Sequence, residues 1–256
     1  MIVAIHSYYF SYHNRQAILA DMKNILLIAA NPSLSTTLGW PVGFWASELI
    51  HPYDEFTKAG HHVTIASPAG GKLELDAYSD PRDASGYSKD DTLSLQYLGR
   101  QEFTALLENS PAIGALNPAD YDAVLVAGGQ SPMFTFRGNT HLLDIFRSFL
   151  DSGKPSAALC HGTCLLLDLK LADGTPLIKG RRITGFANSE EDFADQAVGQ
   201  KVMPFRIEDE ARALGADFIA GPAFQPHAVQ DGNLITGQQQ HSGRVTAELV
   251  LEALAR

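Results

Sequence analysis

Cysteine is scarce in this chain of 256 residues, which contains only Cys160 and Cys164. Two cysteines four residues apart do not make a disulfide framework, so we expect free thiols in an intracellular, cytoplasmic protein. Long hydrophobic runs are also absent, because stretches such as residues 25–30 fall far short of the roughly 18 residues that span a membrane. We therefore expect a water-soluble protein.

Basic residues are in deficit, since 19 Lys and Arg face 29 Asp and Glu and give a formal net charge of −10. Binding to nucleic acid or to an anionic membrane would have to overcome repulsion, so we expect neither partner. The sequence also lacks the glycine-rich nucleotide-binding loops, and the pair formed by His51 and Glu55 has no further residue at metal-ligand spacing. We predict no cofactor and no metal site.

Short apolar segments alternate with helical patterns from residue 23 onward, which is typical of β-α-β units around a parallel sheet. Residues 24–30, 121–127 and 155–159 are apolar almost throughout, as strands buried on both faces are. We predict an α/β fold, a three-layer α/β/α sandwich with a mostly parallel, doubly wound sheet, formed by residues 23–256 as one domain. Further strands are predicted at 62–67, 182–186, 217–220 and a hairpin at 225–236, and helices at 44–59, 140–152, 163–169, 203–214 and 242–255.

Two segments do not fit this alternation. Residues 1–22 have no basic start and no uninterrupted apolar core, so they do not indicate a secretory signal. We interpret them as an N-terminal extension that the fold does not require, either disordered or non-native sequence, with a functional arm as the alternative. Residues 68–120 are too long for a simple loop and predict a small elaboration packed beside the sheet.

The strongest chemical signal is Ala-Leu-Cys-His-Gly at residues 158–162. A strand that turns sharply into a helix there forms a nucleophile elbow, which lifts one side chain out of the turn at the carboxyl edge of the sheet. The amino end of the following helix points at Cys160 and favours the thiolate. We predict that Cys160 is a nucleophile rather than a buried inert cysteine. Cys164 fits core packing, with a resolving thiol as the alternative.

With these residues the sequence resembles the ThiJ/PfpI superfamily, which has the flavodoxin-like fold of the class I glutamine amidotransferases. The long insertion at 68–120 makes it most similar to the branch that contains the glutathione-independent glyoxalases, or glyoxalase III, and heat-shock chaperones. The motifs that carry the resemblance are residues 158–162, Glu-Leu-Ile-His-Pro at 48–52, Ala-Gly-Gly at 127–129, Ile-Thr-Gly-Phe-Ala-Asn-Ser-Glu-Glu at 183–191, and residues 231–238.

The resemblance implies a Cys-His-Glu arrangement. It assigns His161 as the acid or base beside the nucleophile and Glu191 as the residue that orients this histidine, with the neighbouring Glu190 as the alternative. Glu48 matches the acidic residue that reaches Cys160 from the first helix. A carboxyl group among apolar neighbours has a raised pKa, which suits a proton shuttle.

A glycine pair, Gly128 and Gly129, follows the central strand and lets the backbone approach a substrate. An N–H group there, with those of Cys160 and His161, is expected to hold a developing oxyanion, while an ordinary turn is the alternative reading. The glyoxalase-like branch commonly has a histidine after the glycines, whereas this chain has Gln130. The wall of the pocket therefore differs, which puts glyoxal-type substrates in question without affecting the nucleophile.

The resemblance implies a cofactor-independent enzyme, a lyase that acts on small reactive carbonyl compounds through a hemithioacetal at Cys160. It would convert methylglyoxal to lactate, or act in a deglycase-like detoxification. Two alternatives stay open: a cysteine amidase or peptidase of the PfpI type, which is a hydrolase, and a stress-protective chaperone or redox sensor. The expected partners are the small-molecule substrate and a second copy of the chain in a homodimer.

Overall fold

The structure, a computed structural model, describes residues 22–256. The N-terminal extension expected for residues 1–22 lies outside the described residues, apart from Met22. The strands are β1 (Asn24–Ile28), β2 (Ser33–Leu34), β3 (Pro41–Val42), β4 (His62–Ala66), β5 (Ala123–Val126), β6 (Ser156–Leu159), β7 (Arg182–Ile183), β8 (Asp217–Phe218), β9 (Ala228–Asp231) and β10 (Leu234–Gly237). The α-helices are α1 (Ala46–Lys58), α2 (Thr92–Leu98), α3 (Gln101–Glu108), α4 (Pro132–Thr135), α5 (Thr140–Asp151), α6 (Asn188–Val198), α7 (Ile207–Ala213) and α8 (Gly243–Leu254).

The central sheet has six strands in the order β4-β1-β5-β6-β10-β9. Its first five strands run parallel to their neighbours, and β9 pairs with β10 in antiparallel orientation. The expected hairpin is therefore confirmed, and Gly232 takes a positive φ of 64° in its turn, where glycine meets no steric penalty. The order places the carboxyl ends of β5 and β6 side by side near the middle of the sheet.

Both faces of the sheet are covered, which confirms the three-layer sandwich. Along β1, Leu26 and Ile28 belong to one buried apolar cluster, whereas Ile25 and Leu27 belong to the other. This alternation follows from the two-residue period of a strand, and it explains why buried parallel strands are apolar throughout. Helices α1, α2, α3 and α8 supply side chains to the second cluster, and α5 and α7 supply them to the first.

Residues 68–120 contain two α-helices, α2 and α3. These helices place Tyr97 and Phe103 against Tyr53 of α1, with ring centroids 5.7 Å and 5.1 Å away. The rings meet edge to face, the arrangement that aromatic pairs favour. The segment also brings Asp76 to the loop that precedes α1, where its Oδ1 accepts a hydrogen bond from the Gly43 N–H.

Several predicted boundaries are wrong. The strand predicted at 182–186 is shorter than expected, because β7 spans only Arg182–Ile183. It pairs with β8 outside the central sheet. The helix predicted at 203–214 begins at Ile207, and α6 was not foreseen. The helix predicted at 44–59 is α1, which contains Pro52 in its interior. Within residues 22–256, no helix is long and apolar enough to cross a membrane.

Candidate active site

The strand-to-helix turn after β6 holds Cys160 in a strained conformation. Its φ of 57° lies in the left-handed region that a residue with a side chain rarely adopts. Two residues later the turn presses against β5, because a Cβ atom on Gly162 would lie 2.7 Å from the carbonyl oxygen of Ala127. The expected nucleophile elbow is therefore present, and it places the buried Cys160 side chain at the carboxyl edge of the sheet.

The helix after the elbow differs from the expected helix in its type and in its bounds. It is a 3₁₀ helix, Cys160–Leu167, and not an α-helix at 163–169. Burial raises the pKa of the Cys160 thiol, and the His161 backbone N–H lowers it by donating to the sulfur. The expected stabilisation of the thiolate by the helix end is thus outweighed by burial.

Glu48 reaches Cys160 from the first turn of α1, as expected. Its side chain is fully buried, and Oε2 accepts a hydrogen bond of 2.9 Å from the Gly128 N–H. Oε1 is buried and has no N–H or O–H partner among the described residues. Burial raises the pKa of Glu48 well above its usual value, although the hydrogen bonds with Cys160 and the Gly128 N–H act to lower it. A buried carboxyl oxygen without a donor is the natural place for a proton, so Glu48 is held as a neutral acid facing the sulfur.

The His161 ring lies between the sulfur and a second glutamate. Its Nδ1 is 3.9 Å from Cys160 Sγ, and its Nε2 is 3.0 Å from Glu191 Oε1. The ring of Phe186 stacks against the imidazole at a centroid distance of 4.2 Å, which restricts its rotation. The arrangement expected for Cys160, His161 and Glu191 is therefore present in the geometry.

The neighbouring Glu190 has a different task. Its Oε2 accepts from the Ala187 N–H at 2.9 Å, and its Oε1 accepts from the Phe224 N–H at 3.0 Å and the Gln238 side-chain amide at 2.9 Å. These bonds cap the start of α6 and fix the segment around Phe224. The sequence did not decide which of the two glutamates contacts His161. In the structure Glu191 is hydrogen-bonded to His161, whereas Glu190 accepts hydrogen bonds from backbone N–H groups.

The loop after β5 has room only for glycine at positions 128 and 129. A Cβ atom on Gly128 would lie 2.5 Å from Glu48 Oε2, and one on Gly129 would lie 2.5 Å from the Trp45 amide nitrogen. The N–H group of Gly128 donates to Glu48 and is therefore already occupied. Since the Gln130 N–H is also taken by a carboxylate, Asp76, the Gly129 amide is the loop's remaining candidate donor.

Asp76 supports this loop, and sequence reasoning missed it. Its Oδ1 accepts from the Gly43 N–H at 2.8 Å and its Oδ2 accepts from the Gln130 N–H at 2.6 Å. Burial raises the pKa of Asp76 to about 6, against the lowering effect of these two bonds. It joins the loop before α1 to the loop after β5. No motif marks it, because it lies in the segment interpreted as an elaboration.

A cavity of about 230 Å³ opens onto Cys160 and His161. Gln130 also lines it, and the Gln130 side chain accepts a hydrogen bond of 3.2 Å from the Trp40 indole N–H. His51 does not line it: His51 Nε2 lies 2.9 Å from Asp91 Oδ1, while Glu55 pairs with Arg244. The remaining wall is mainly aromatic, formed by Trp40, Trp45, Tyr78, Tyr87, Phe193 and Phe224.

Together the fold and the site define a class: an α/β protein with a cysteine nucleophile elbow at the carboxyl edge of a parallel sheet, beside a buried neutral glutamate and a His-Glu pair. The chain belongs to the DJ-1/PfpI family, whose match covers residues 41–253. The resemblance seen in the sequence is therefore confirmed.

Individual relatives share most of its length. Glyoxalase 3 of Candida albicans is 30% identical over 219 residues, which cover 84% of this chain and 91% of that protein. Glutathione-independent glyoxalase HSP31 of Saccharomyces cerevisiae is 28% identical over 244 residues, covering 92% of this chain and 99% of that one. Among solved structures, the Rapid Encystment Protein 24 KDa of Francisella tularensis matches with a TM-score of 0.82 at 26% identity, covering 91% and 99% of the two chains.

Proposed function

We propose that this protein is a cysteine enzyme that detoxifies small reactive carbonyl compounds without glutathione or a cofactor, with the conversion of methylglyoxal and water to lactate as its reaction. The observation that carries the proposal is the convergence of a thiol, a buried neutral carboxyl and a His-Glu pair on one cavity. The names of the two glyoxalase relatives support the same chemistry. No second thiol is required, because Cys160 is itself the thiol that adds to the aldehyde.

In the first step, the Cys160 sulfur adds to the aldehyde carbon. His161 Nδ1, 3.9 Å from the sulfur, accepts the thiol proton as the C–S bond forms. The Glu191 carboxylate at Nε2 stabilises the imidazolium that results. The neutral Glu48 carboxyl donates its proton to the carbonyl oxygen, which leaves Glu48 as a carboxylate, and the product is a hemithioacetal. The Gly129 amide is the backbone donor that we assign to the developing oxyanion.

In the second step, a proton moves between adjacent carbons. Removal of the hydrogen on the former aldehyde carbon gives an enediolate, and protonation of the neighbouring carbon gives a 2-hydroxy thioester on Cys160. Glu48 and His161 flank the sulfur and are the two groups able to carry this proton. Water then cleaves the thioester, which releases lactate and restores the thiol. The sum is methylglyoxal plus water giving lactic acid, with no external oxidant or reductant.

The proposal is tested by following methylglyoxal consumption and lactate formation without glutathione. We expect Cys160→Ala to abolish turnover and Glu48→Gln to reduce kcat by about 100-fold or more, because glutamine keeps the shape but carries no transferable proton. Cys164→Ala is the matched control, since Cys164 is buried in the core and its thiol bonds the Pro132 carbonyl away from the cavity. Lactate formation by Cys160→Ala at the wild-type rate would refute the proposal.

The same residues would also suit the hydrolysis of an amide through a thioester, the reaction of a PfpI-type peptidase. Peptide and amide substrates assayed beside methylglyoxal separate the two reactions. Turnover of an amide with accumulation of an acyl-enzyme, and none of methylglyoxal, would favour the hydrolase. A chaperone role would instead show as suppression of aggregation that survives Cys160→Ala.

A further inference from the structure

The cavity at Cys160 is larger than methylglyoxal requires. Its volume of about 230 Å³ exceeds the roughly 150 Å³ of an engineered protein cavity that binds benzene. Methylglyoxal carries only a methyl group beside its two carbonyls, so it would leave most of this space to water. A site that holds its substrate by apolar contact gains little from such a small group.

The walls of the cavity are built for an apolar group. Trp45 and Tyr87 meet edge to face at 5.9 Å, and Tyr78 continues the row at 6.2 Å from Tyr87. A separate pair, Phe193 and Phe224, meets at 5.1 Å. Phe193 is 52% exposed and Tyr87 is 50% exposed, although both line the cavity. Large aromatic side chains left open to water beside a nucleophile offer unused contact area to a ligand.

The charged residues around the cavity favour an uncharged ligand. Glu190 and Glu191 line it, whereas no Lys or Arg of residues 22–256 does, and His161 is the one lining residue able to become a cation. A substrate with a carboxylate or phosphate would therefore meet acidic groups without a basic partner. The net charge of −10 adds to this repulsion.

We propose that the preferred substrate is an uncharged 2-oxoaldehyde that carries an aromatic or similarly bulky apolar group. This inference rests on the proposed function and narrows it. The aldehyde carbon lies at Cys160, and the apolar group packs between the Trp45–Tyr87 pair and the Phe193–Phe224 pair. Phenylglyoxal would react by the same steps as methylglyoxal: addition of the thiol, transfer of a proton through the enediolate, and cleavage of the thioester by water. Phenylglyoxal plus water gives mandelic acid.

The test compares kcat/KM for methylglyoxal, phenylglyoxal and 4-carboxyphenylglyoxal, each divided by the rate constant of the same aldehyde with a free small thiol. This division removes differences in intrinsic reactivity. We expect phenylglyoxal to exceed methylglyoxal by about 10-fold or more, because a phenyl ring adds several buried carbon atoms. We expect the carboxylate to lower kcat/KM by about 10-fold relative to phenylglyoxal, because it is placed among acidic residues.

Two variants show whether the aromatic walls cause the preference. Phe193→Ala is expected to lower the phenylglyoxal to methylglyoxal ratio by about 5-fold or more, since it removes one wall of the proposed subsite. Leu171→Ala is the matched control, because Leu171 is also an exposed large apolar residue but does not line the cavity, and its ratio is expected to equal that of the wild type.

Each outcome decides a different claim. Efficient turnover of methylglyoxal with no preference for phenylglyoxal would overturn the inference and leave the proposed function standing. A preference that Phe193→Ala does not change would also overturn it, because the aromatic walls would then not be its source. If the wild type consumes none of the three aldehydes, the proposed function fails and this inference fails with it.

Discussion

Glu191 Oε1 lies 3.0 Å from His161 Nε2, and both side chains are buried. An ionised carboxylate at this distance requires a proton on Nε2, which leaves Nδ1 unprotonated in the neutral imidazole. Nδ1 is the nitrogen that faces Cys160 Sγ. In the proposed mechanism this pair fixes which ring nitrogen takes the thiol proton, and its negative charge would stabilise the imidazolium that forms.

Replacing Glu191 or Glu190 by glutamine is expected to have different effects, on activity for Glu191 and on stability for Glu190. Glu191→Gln is expected to lower kcat/KM by about 100-fold with little change in unfolding free energy, because it removes the charge that stabilises the imidazolium. Glu190→Gln is expected to lower the unfolding free energy by about 1–3 kcal/mol. The two carboxylate oxygens of Glu190 accept hydrogen bonds from three N–H groups, and the glutamine side chain would replace one of these oxygens with an NH₂ group that cannot accept them. Urea denaturation and steady-state kinetics of both variants check this, and identical behaviour of the two would contradict the separate roles.

Asp76 gives the folded state a specific dependence on pH. Its pKa rises from 3.8 to about 6 on folding, so the folded state binds the proton more tightly than the unfolded chain does. The stability of the wild type relative to Asp76→Asn is therefore expected to rise as the pH falls from 7 to 4, by up to about 3 kcal/mol. Urea denaturation of both proteins at a series of pH values measures this difference. A difference that is independent of pH would show that Asp76 ionises as freely in the fold as in the unfolded chain.

The glycine at position 128 is required by contact with two site residues. In Gly128→Ala the new Cβ atom would lie 2.5 Å from Glu48 Oε2 and 2.8 Å from Cys160 Cβ, so the carboxyl and the nucleophile are forced apart. We expect a loss of about 1–3 kcal/mol in unfolding free energy and a larger relative loss of activity. Gly99→Ala is the control, because its Cβ atom would meet nothing closer than 3.5 Å. Wild-type activity in Gly128→Ala would contradict the close packing of Glu48 against Cys160.

Much of this architecture could be predicted because it depends on local patterns. The strands that flank the site are apolar throughout, and the elbow follows from a strand that runs directly into Cys160 and Gly162. Glu48 and His161 lie next to recognisable motifs in the chain. For these residues a short segment of sequence specifies both the local conformation and the side chain.

The rest depends on contacts between distant segments, to which a single sequence gives no access. Asp76 acts on Gly43 and Gln130, which are 33 and 54 residues away along the chain. Glu190 and Glu191 are equally acidic in sequence, and only the direction of α6 decides which one reaches His161. The raised pKa of the Cys160 thiol likewise reflects burial, which outweighs the helix end that the local pattern suggested.

The central claim is that the reaction passes through a covalent bond between Cys160 and the substrate. Acid-quenched intact mass spectrometry during steady-state turnover of methylglyoxal tests it most directly, because a thioester survives the quench. We expect a protein fraction heavier by one methylglyoxal, with the added mass on the peptide that carries Cys160. This fraction is expected to be absent from Cys160→Ala and to be converted to lactate when the substrate is removed. Lactate formation with no adduct at Cys160, or an adduct that is not converted to lactate, would contradict it.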